Sequence, residues 1–334
     1  MKLVVGFITY NNSSSPYLHY FLTSLKKAIS GSGIHDYLVI GFDNSSLDFN
    51  DNQKLIQNFL VANPDLSFKT IRSDENIGFA RAYNKMIGEA ISLDAKYFLV
   101  INPDTLLEED AIRLLVESLD KNEELATAIP RIMSWDFLKL KKTDFIDSLG
   151  IGLSSGLKFF DVCQGEQFKE KDLERYLSEG NRAIAPSGAA GLFRLSHLQQ
   201  IVEIREGKAE YFDERFFMYK EDCDLAYRLF LANMKSVFVN SALIYHDRST
   251  KSLGAGFKNL LKSRSNKSSQ ARSWSFTNQH FIFIKHFKAQ DLSAKVVILI
   301  KILGFFIFSL IFEQFLLKNY KQVFNFLKSQ RSLK

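Results

Sequence analysis

Lys96, Tyr97, Phe98, Leu99, Val100 and Ile101 form an apolar run of buried-strand length, and Asn102, Pro103, Asp104 and Thr105 follow it directly. That run limits what the chain can become. A strand apolar on both faces belongs inside an α/β sheet, and its carboxyl end is where such sheets bind ligands. A carboxylate standing there, Asp104, is able to hold a hard divalent cation against a diphosphate. The same residues also read as a turn, because Asn-Pro and Pro-Asp favour turns and an Asp caps a helix, here one starting near Leu106. From the residues alone both readings stay open.

The chain upstream repeats this arrangement. Leu3–Thr9 is an apolar, β-branched run ending in Tyr10, Asn11 and Asn12; residues 37–42 form another, ending in Asp43, Asn44, Ser45 and Ser46. A third, 66–72, is followed by Glu75, Asn76, Ile77 and Gly78. Between them lie helical patterns: Tyr17, Phe21, Leu22, Leu25; then Leu55, Ile56, Phe59, Leu60; then Phe79, Tyr83, Met86, Ile87. Strand alternating with helix predicts an α/β domain whose parallel sheet is built from right-handed crossovers, each strand delivering its polar cluster to one edge. Residues 145–162, punctuated by Gly150, Gly152 and Gly156, read as a hairpin or two short strands added to the sheet. Residues 169–180 are charged and read as exposed.

Five motifs occur in a telling order: Thr9-Tyr10-Asn11; Asp43-Asn44-Ser45; Asn76-x-Gly78-Phe79-Ala80-x-Ala82-x-Asn84; Asn102-Pro103-Asp104; and Glu221-Asp222-x-Asp224-x-x-x-Arg228. Over about residues 1–250 the chain resembles family 2 glycosyltransferases, and looks most like the rhamnosyltransferase-like branch that builds bacterial surface polysaccharides. The resemblance implies a GT-A fold, a Rossmann-like nucleotide-diphospho-sugar transferase domain, over 1–250, with a helical carboxyl-terminal appendage over 251–334. It implies that Thr9, Tyr10, Asn11, Asp43, Asn44, Asn76, Gly78, Arg81 and Asn102 line the nucleotide and phosphate pocket. The Asp43 carboxylate would accept the N3–H of uracil or thymine, favouring a UDP- or dTDP-sugar donor. Gly78 and Ala80 permit close backbone approach, and Arg81 either reaches a phosphate or lies on a solvated helix face. Asp104 would ligate Mg²⁺ or Mn²⁺ bridging the two phosphates, with His246 as a further metal or phosphate contact. Here the chain departs from the family's two-aspartate pattern, since Asn102 offers only a neutral oxygen.

Glu221, Asp222, Cys223 and Asp224 open an apparent helix carrying Leu225, Leu229 and Phe230 at periodic positions. Carboxylates in a first turn complement the helix dipole, and Asp224 with Arg228 reads as an i, i+4 ion pair. Asp222 is different, because Phe212 and the run Phe216, Phe217, Met218 and Tyr219 would wall it and desolvate it enough to act as a general base. The resemblance implies that Asp222 deprotonates the acceptor hydroxyl in an inverting displacement. Glu221 binds the acceptor or exchanges roles with it. The small-residue loop 185–191 would face the sugars, since small side chains let a loop pack under a sugar or move over it.

Only Cys163 and Cys223 are present, which excludes a disulfide framework or zinc site and points to a reducing cytoplasm. Leu3–Thr9 is too short for a signal peptide. The net charge of +6 conceals a division: from Arg248 onward sixteen Lys or Arg face two acids, so this tail carries +14 and residues 1–247 carry −8. Residues 264–269 read as a loop, 274–287 as an aromatic-rich helix and 296–317 as a strongly apolar helix with basic flanks that contains Lys301 and Glu313. The central charges disfavour spanning. An in-plane or re-entrant helix at the anionic inner face of the plasma membrane fits better, with a helix buried on the catalytic domain or in a homodimer as the alternative. The activity expected is transfer of a sugar, rhamnose as the narrowest choice, to a glycan or lipid-linked acceptor. A sugar-phosphate nucleotidyltransferase is disfavoured because Tyr10 to Pro16 lacks a glycine-rich basic loop. A nucleic-acid binder acting through the tail is disfavoured because the apolar helix is rich in Phe and no recognition motif is visible.

Overall fold

The computed structural model describes residues 1–46, 50–177, 183–248, 264 and 267–332. The predicted strands appear as β1 (Leu3–Thr9), β2 (Tyr37–Asp43), β3 (Phe68–Arg72) and β4 (Tyr97–Ile101). They alternate with α1 (Ser15–Gly31), α2 (Asn52–Ala62) and α3 (Gly78–Ser92). These four strands are parallel in the order β3-β2-β1-β4, so each crossover returns the chain to the same edge. Beyond them the sheet becomes mixed. After β5 (Thr105–Leu107) and α4 (Ala111–Asp120) come β6 (Leu125–Asp136) and β7 (Lys141–Ser148), then β8 (Ile151–Ser154) and β9 (Lys158–Asp161). A short α5 (Leu173–Leu177) precedes β10 (Ala190–Arg194) and α6 (Leu195–Gln200); β11 (Glu203–Arg205) and β12 (Lys208–Glu210) then lead to α7 (Glu221–Leu231) and β13 (Lys235–His246). The order continues as β4-β10-β6-β13-β5, with β10 antiparallel to both neighbours and β7 paired to β6.

Two expectations need correction here. No helix begins near Leu106; Thr105–Leu107 is a strand paired antiparallel to β13, and the helix starts at Ala111. Only β7 of the 145–162 region joins the main sheet, while β8 and β9 form a separate hairpin.

Alternation of side chains along the strands builds a core on each face. On one face Val4, Ile40, Phe42, Phe98 and Val100 pack with Tyr83, Met86 and Ile87 of α3 and Leu225 and Leu229 of α7. On the other, Leu3, Val5, Phe7 and Leu99 meet Leu18, Phe21 and Leu25 of α1 and Ile112 and Leu115 of α4.

The carboxyl-terminal region forms α8 (Ser269–His286), α9 (Leu292–Ile311) and α10 (Tyr320–Ser332). Ser268 and Asp291 cap the first two by accepting from the N–H groups of Ala271 and Ala294. The apolar helix therefore ends at Ile311, short of the expected 317, and Gln314–Asn319 is a 3-10 turn. Part of the expected 264–269 loop, residues 265–266, lies outside the described residues, as do 178–180 of the charged segment.

Helix α8 belongs to the catalytic body, since Phe281, Ile282 and Phe283 are buried in the core that also holds α3 and α7. Lys285 sits among three carboxylates, its Nζ 2.8 Å from each of Glu203, Asp213 and Asp224. These acids lie within 4.8 Å of one another, a spacing suited to a metal, but the ammonium already fills that place. Asp224 also accepts from Arg228 Nε at 2.9 Å and His286 Nε2 at 2.8 Å, so the simple i, i+4 pair is one edge of a buried knot. Burial alone would raise both acids. For Asp213 the Arg215 hydrogen bond and the Lys285 charge outweigh burial and the opposing charge of Asp224, pushing it down to about 2. Lys285 and Arg228 hold Asp224 well below the usual range.

Carboxyls depressed in the folded state stabilise it fully above their unfolded pKa, and that stability is lost as pH falls through the folded value. Stability is therefore expected to decline as pH drops from about 4 towards 2. Lys285→Met removes the ammonium the three acids share, leaving Asp224 to Arg228 and His286, Asp213 to Arg205 and Arg215, and half-buried Glu203 to Arg205, and should cost about 1–3 kcal/mol, read as a lowered urea midpoint at neutral pH.

Candidate active site

Register decides what meets at the sheet's carboxyl edge. Thr9 stands beside Asp43, Asp43 beside Arg72, and His246 between Thr105 and Ser134. Ala190 opposite Ile101 brings the small-residue loop to the same edge.

At the β1–β2 end, one oxygen of Asp43 is saturated. Its Oδ1 accepts from Thr9 Oγ1 at 3.3 Å, from Ser45 N at 3.3 Å and from Ser45 Oγ at 2.5 Å. Among the described residues its Oδ2 has no hydrogen-bond partner, and Asp43 is only 1% exposed. A buried orphan acceptor is costly unless a ligand donor completes it. Asn11, at φ 43°, donates its N–H to Ser45 Oγ at 2.8 Å, accepts Ser46 N on its side chain, and accepts Asn52 Nδ2 on its carbonyl at 2.6 Å. Tyr10 is 37% exposed beside it.

Asn44 and Asn76 use their amides on the protein itself. Asn44 donates to Asn76 Oδ1 at 2.9 Å and to Gly78 O at 3.2 Å, and accepts Ile77 N at 2.8 Å. Asn76 also accepts Gly78 N at 2.9 Å. Gly78 has φ +82° and a Cβ there would lie 2.4 Å from Phe217 O, so the backbone that approaches it is residue 217. Phe79 N donates to that same oxygen at 3.0 Å. Arg81, with its side chain 55% exposed, lies 3.4 Å from Glu214.

Asn102 donates its backbone N–H to Ala189 O at 2.9 Å and accepts Thr105 Oγ1 on its carbonyl. Two residues on, Asp104 Oδ1 lies 3.3 Å from His246 Nε2. The other ring nitrogen, Nδ1, is 2.8 Å from Asp147 Oδ2, and Arg248 Nε is 2.8 Å from Asp147 Oδ1. Burial alone would lower His246, but the carboxylates of Asp104 and Asp147 overcome it and push the ring up to about 10. A carboxylate oxygen and an imidazole nitrogen held about one metal-ligand edge apart, with the imidazole oriented from behind by a second carboxylate, fit a divalent cation of the Mg²⁺ or Mn²⁺ type. Asp147 carried no sequence signal, because it stands in a stretch that reads as a hairpin.

The third group sits at the start of α7. Tyr219 and Lys220 both have left-handed backbones, φ 72° and 73°, and turn the chain sharply into the helix. Asn278 of α8 supports this turn by donating to Met218 O at 2.9 Å and Tyr219 O at 2.7 Å. Asp222 is half-buried; its Oδ2 accepts Gly188 N at 3.1 Å and its Oδ1 accepts Cys223 N at 2.7 Å. The more desolvated acid is Glu221, 5% exposed, whose Oε2 has no partner among the described residues. Burial first, and then the charge of Asp222, raise Glu221 well above the ordinary carboxyl value. Neighbouring carboxyls with such different surroundings are suited to separate roles. The sequence marks the loop 185–191 that holds Gly188 but not which of its N–H groups meets Asp222, and a lone amide such as Asn278 leaves no pattern.

A mixed sheet with this edge is the GT-A architecture of glycosyltransferases. The chain belongs to glycosyl transferase family 2, whose description matches residues 4–197; that of glycosyl transferase family group 2 matches residues 168–323. Among solved structures it is similar to GalNAc-T7 with UDP, GalNAc and Mn²⁺, at 12% identity and TM-score 0.52, over 88% of this chain and 52% of that one. The chain thus spans about half of GalNAc-T7, and the likeness is one of fold. TarS of S. aureus in complex with UDP aligns at 15% identity and TM-score 0.49, over 86% and 72% of the two chains. The mannosyltransferase PcManGT from Pyrobaculum calidifontis with GDP-Man and Mn²⁺ aligns at 12% and 0.49, over 97% and 87%. No curated protein matches the sequence.

Asp43→Asn keeps the acceptor for Thr9 and Ser45 but turns an NH₂ towards the place of Oδ2. UDP should then bind about 10- to 100-fold more weakly in calorimetry, and CDP, whose ring nitrogen accepts, should lose much less.

Proposed function

We propose that the protein is an inverting glycosyltransferase that takes a sugar from a UDP- or dTDP-sugar and passes it to a glycan or lipid-linked acceptor. The observation that carries this reading is the meeting, on one sheet edge, of the orphan Asp43 oxygen, the Asp104–His246 pair and Asp222. Asp43 Oδ2 accepts the imide N–H of uracil or thymine, with Thr9, Tyr10 and Asn11 forming the wall of the base pocket. Asn44, Asn76 and Gly78 shape that pocket through the turn they brace. Arg81 and Asn102 lie at its phosphate side.

Asp104 and His246 hold the divalent ion, Mg²⁺ or Mn²⁺, which when bound neutralises the donor's diphosphate. Asp222 takes the proton of the acceptor hydroxyl. The hydroxyl oxygen bonds to the anomeric carbon as the bond from that carbon to the diphosphate oxygen breaks, and its electron pair leaves with the nucleoside diphosphate. Configuration at the anomeric carbon inverts. Gly188 N and Cys223 N orient the two oxygens of Asp222, while Glu221, whose carboxyl burial raises well above the ordinary value, binds the acceptor. Rhamnose is the donor sugar we favour, on the Asn-Pro-Asp motif shared in the rhamnosyltransferase-like branch. Family membership takes the place of the nucleotidyltransferase and nucleic-acid alternatives.

Asp104→Ala should abolish Mn²⁺-dependent donor binding with the thermal melt unchanged in the absence of nucleotide; retained UDP or dTDP affinity in Mn²⁺ overturns the metal assignment. Asp222→Asn should keep donor affinity and lower turnover by about 10² or more. Near-normal transfer in that variant would move the base to Glu221.

A further inference from the structure

Helix α9 is long and apolar enough to cross a membrane, and the other described residues leave it largely uncovered. Leu299, Ile300, Leu303, Phe306, Ile307 and Leu310 are all exposed and recur at helical spacing, so they form one continuous outward stripe. The opposite side, with Ala294, Ile298 and Ser309, is buried against the protein.

The charges within α9 are Lys295, near its start with Nζ 6.0 Å from the Phe287 ring, and Lys301; Glu313, just past its end, is turned inward. Lys301 Nζ donates to Ser155 O at 3.0 Å and Gly156 O at 2.8 Å, in the turn between β8 and β9. Glu313 is 5% exposed and is paired with Arg264 and, at 2.8 Å, with Arg272. Gly156 completes the fit, since a Cβ there would lie 2.5 Å from Val297. The charged groups that do reach solvent beyond the ends of the stripe include Lys288, Lys318 and Lys321.

We infer that this outward face of α9 is seated in the plane of an anionic lipid surface, its apolar stripe among the acyl chains and the flanking lysines at the headgroups. A patch of this extent is more than a soluble monomer ordinarily exposes. Spanning is excluded by the packing, because a helix whose middle is anchored to the catalytic body through Lys301 cannot carry that middle to the bilayer centre. A second copy of the chain is disfavoured by charge, as two tails of like sign would be brought together. Anionic headgroups complement the same charge. The seat also lies close to the proposed chemistry: the hairpin gripped by Lys301 ends in Asp161, which pairs with Arg248 at 2.7 Å, and Arg248 pairs with Asp147 behind His246. This deepens the proposed function, on which the choice of acceptor rests: a lipid-linked acceptor would arrive beside the catalytic edge.

The test is sedimentation of the full chain with vesicles of phosphatidylglycerol and phosphatidylcholine, compared with phosphatidylcholine alone. Wild type should pellet with the anionic vesicles and less with neutral ones, and salt should weaken the binding without abolishing it. Leu299→Glu with Leu303→Glu, both on exposed positions, should lower partitioning about tenfold or more while the thermal melt stays unchanged. Lack of pelleting by wild type, or equal pelleting by the double variant, overturns the seat. So does light scattering that finds a dimer in wild type and a monomer in the variant, with vesicle binding the same in both. Nucleotide-sugar hydrolysis without vesicles is read on the same samples. Its loss in wild type would count against the catalytic reading alone.

Discussion

Lys285 is the contact on which the rest of the arrangement depends. Glu203, Asp213 and Asp224, drawn from the β11–β12 hairpin, the segment before α7 and α7 itself, are ringed by Arg205, Arg215 and Arg228, and the cation that all three share is Lys285. That cation comes from α8. The same helix, through Asn278, holds the left-handed turn that launches α7, so the proposed base is positioned from two sides by one element. Asp224 is fixed by Lys285, Arg228 and His286, and Asp222 lies only two residues away on the same first turn.

The site separates its acids by surroundings. Asp222 is half-buried, receives two backbone N–H groups and sits at the N-terminal end of α7. Glu221 faces the core and carries an unpartnered oxygen, which favours its neutral form. Of the aromatic wall expected around Asp222, Phe212 lines the same small cavity as Asp222 and Gly188. At the other side of the edge, Asp147 does for His246 what the backbone does for Asp222: it fixes an orientation without approaching the reacting groups.

How much of this was readable beforehand follows from the range of the interactions. The parallel half of the sheet, β1 to β4, was legible because its strands are continuous apolar runs ending in polar clusters, and crossovers between them are local. The places of Thr9, Asp43 and His246 at strand ends, of Asp104 between two strands and of Asp222 in the first turn of a helix were legible, because apolar runs give way there to polar clusters. The antiparallel insertion of β10 between β4 and β6, and the pairing of Thr105–Leu107 with β13, were not, since such partners are far apart in sequence and three residues carry no period. The partners of Asp147, Gly188 and Asn278 were not legible for a related reason: the contacts reach groups 34 to 99 positions away, as in Gly188 to Asp222 and Asp147 to His246. Asn44 and Asn76 were assigned to a ligand pocket that they shape by bonding to each other and to the turn.

The burial of Phe281, Ile282 and Phe283 beside Lys285 and His286 bears on how the enzyme is to be handled in the laboratory. Deleting the tail to gain solubility would take away part of the hydrophobic core and the only ammonium shared by those three acids among the described residues. A chain cut near residue 248 would expose the face of α7 that α8 now covers, and would be expected to aggregate for that reason. A preparation free of detergent is better sought by leaving the chain whole and placing polar side chains along the outer stripe of α9, where the backbone stays covered and the catalytic body is untouched.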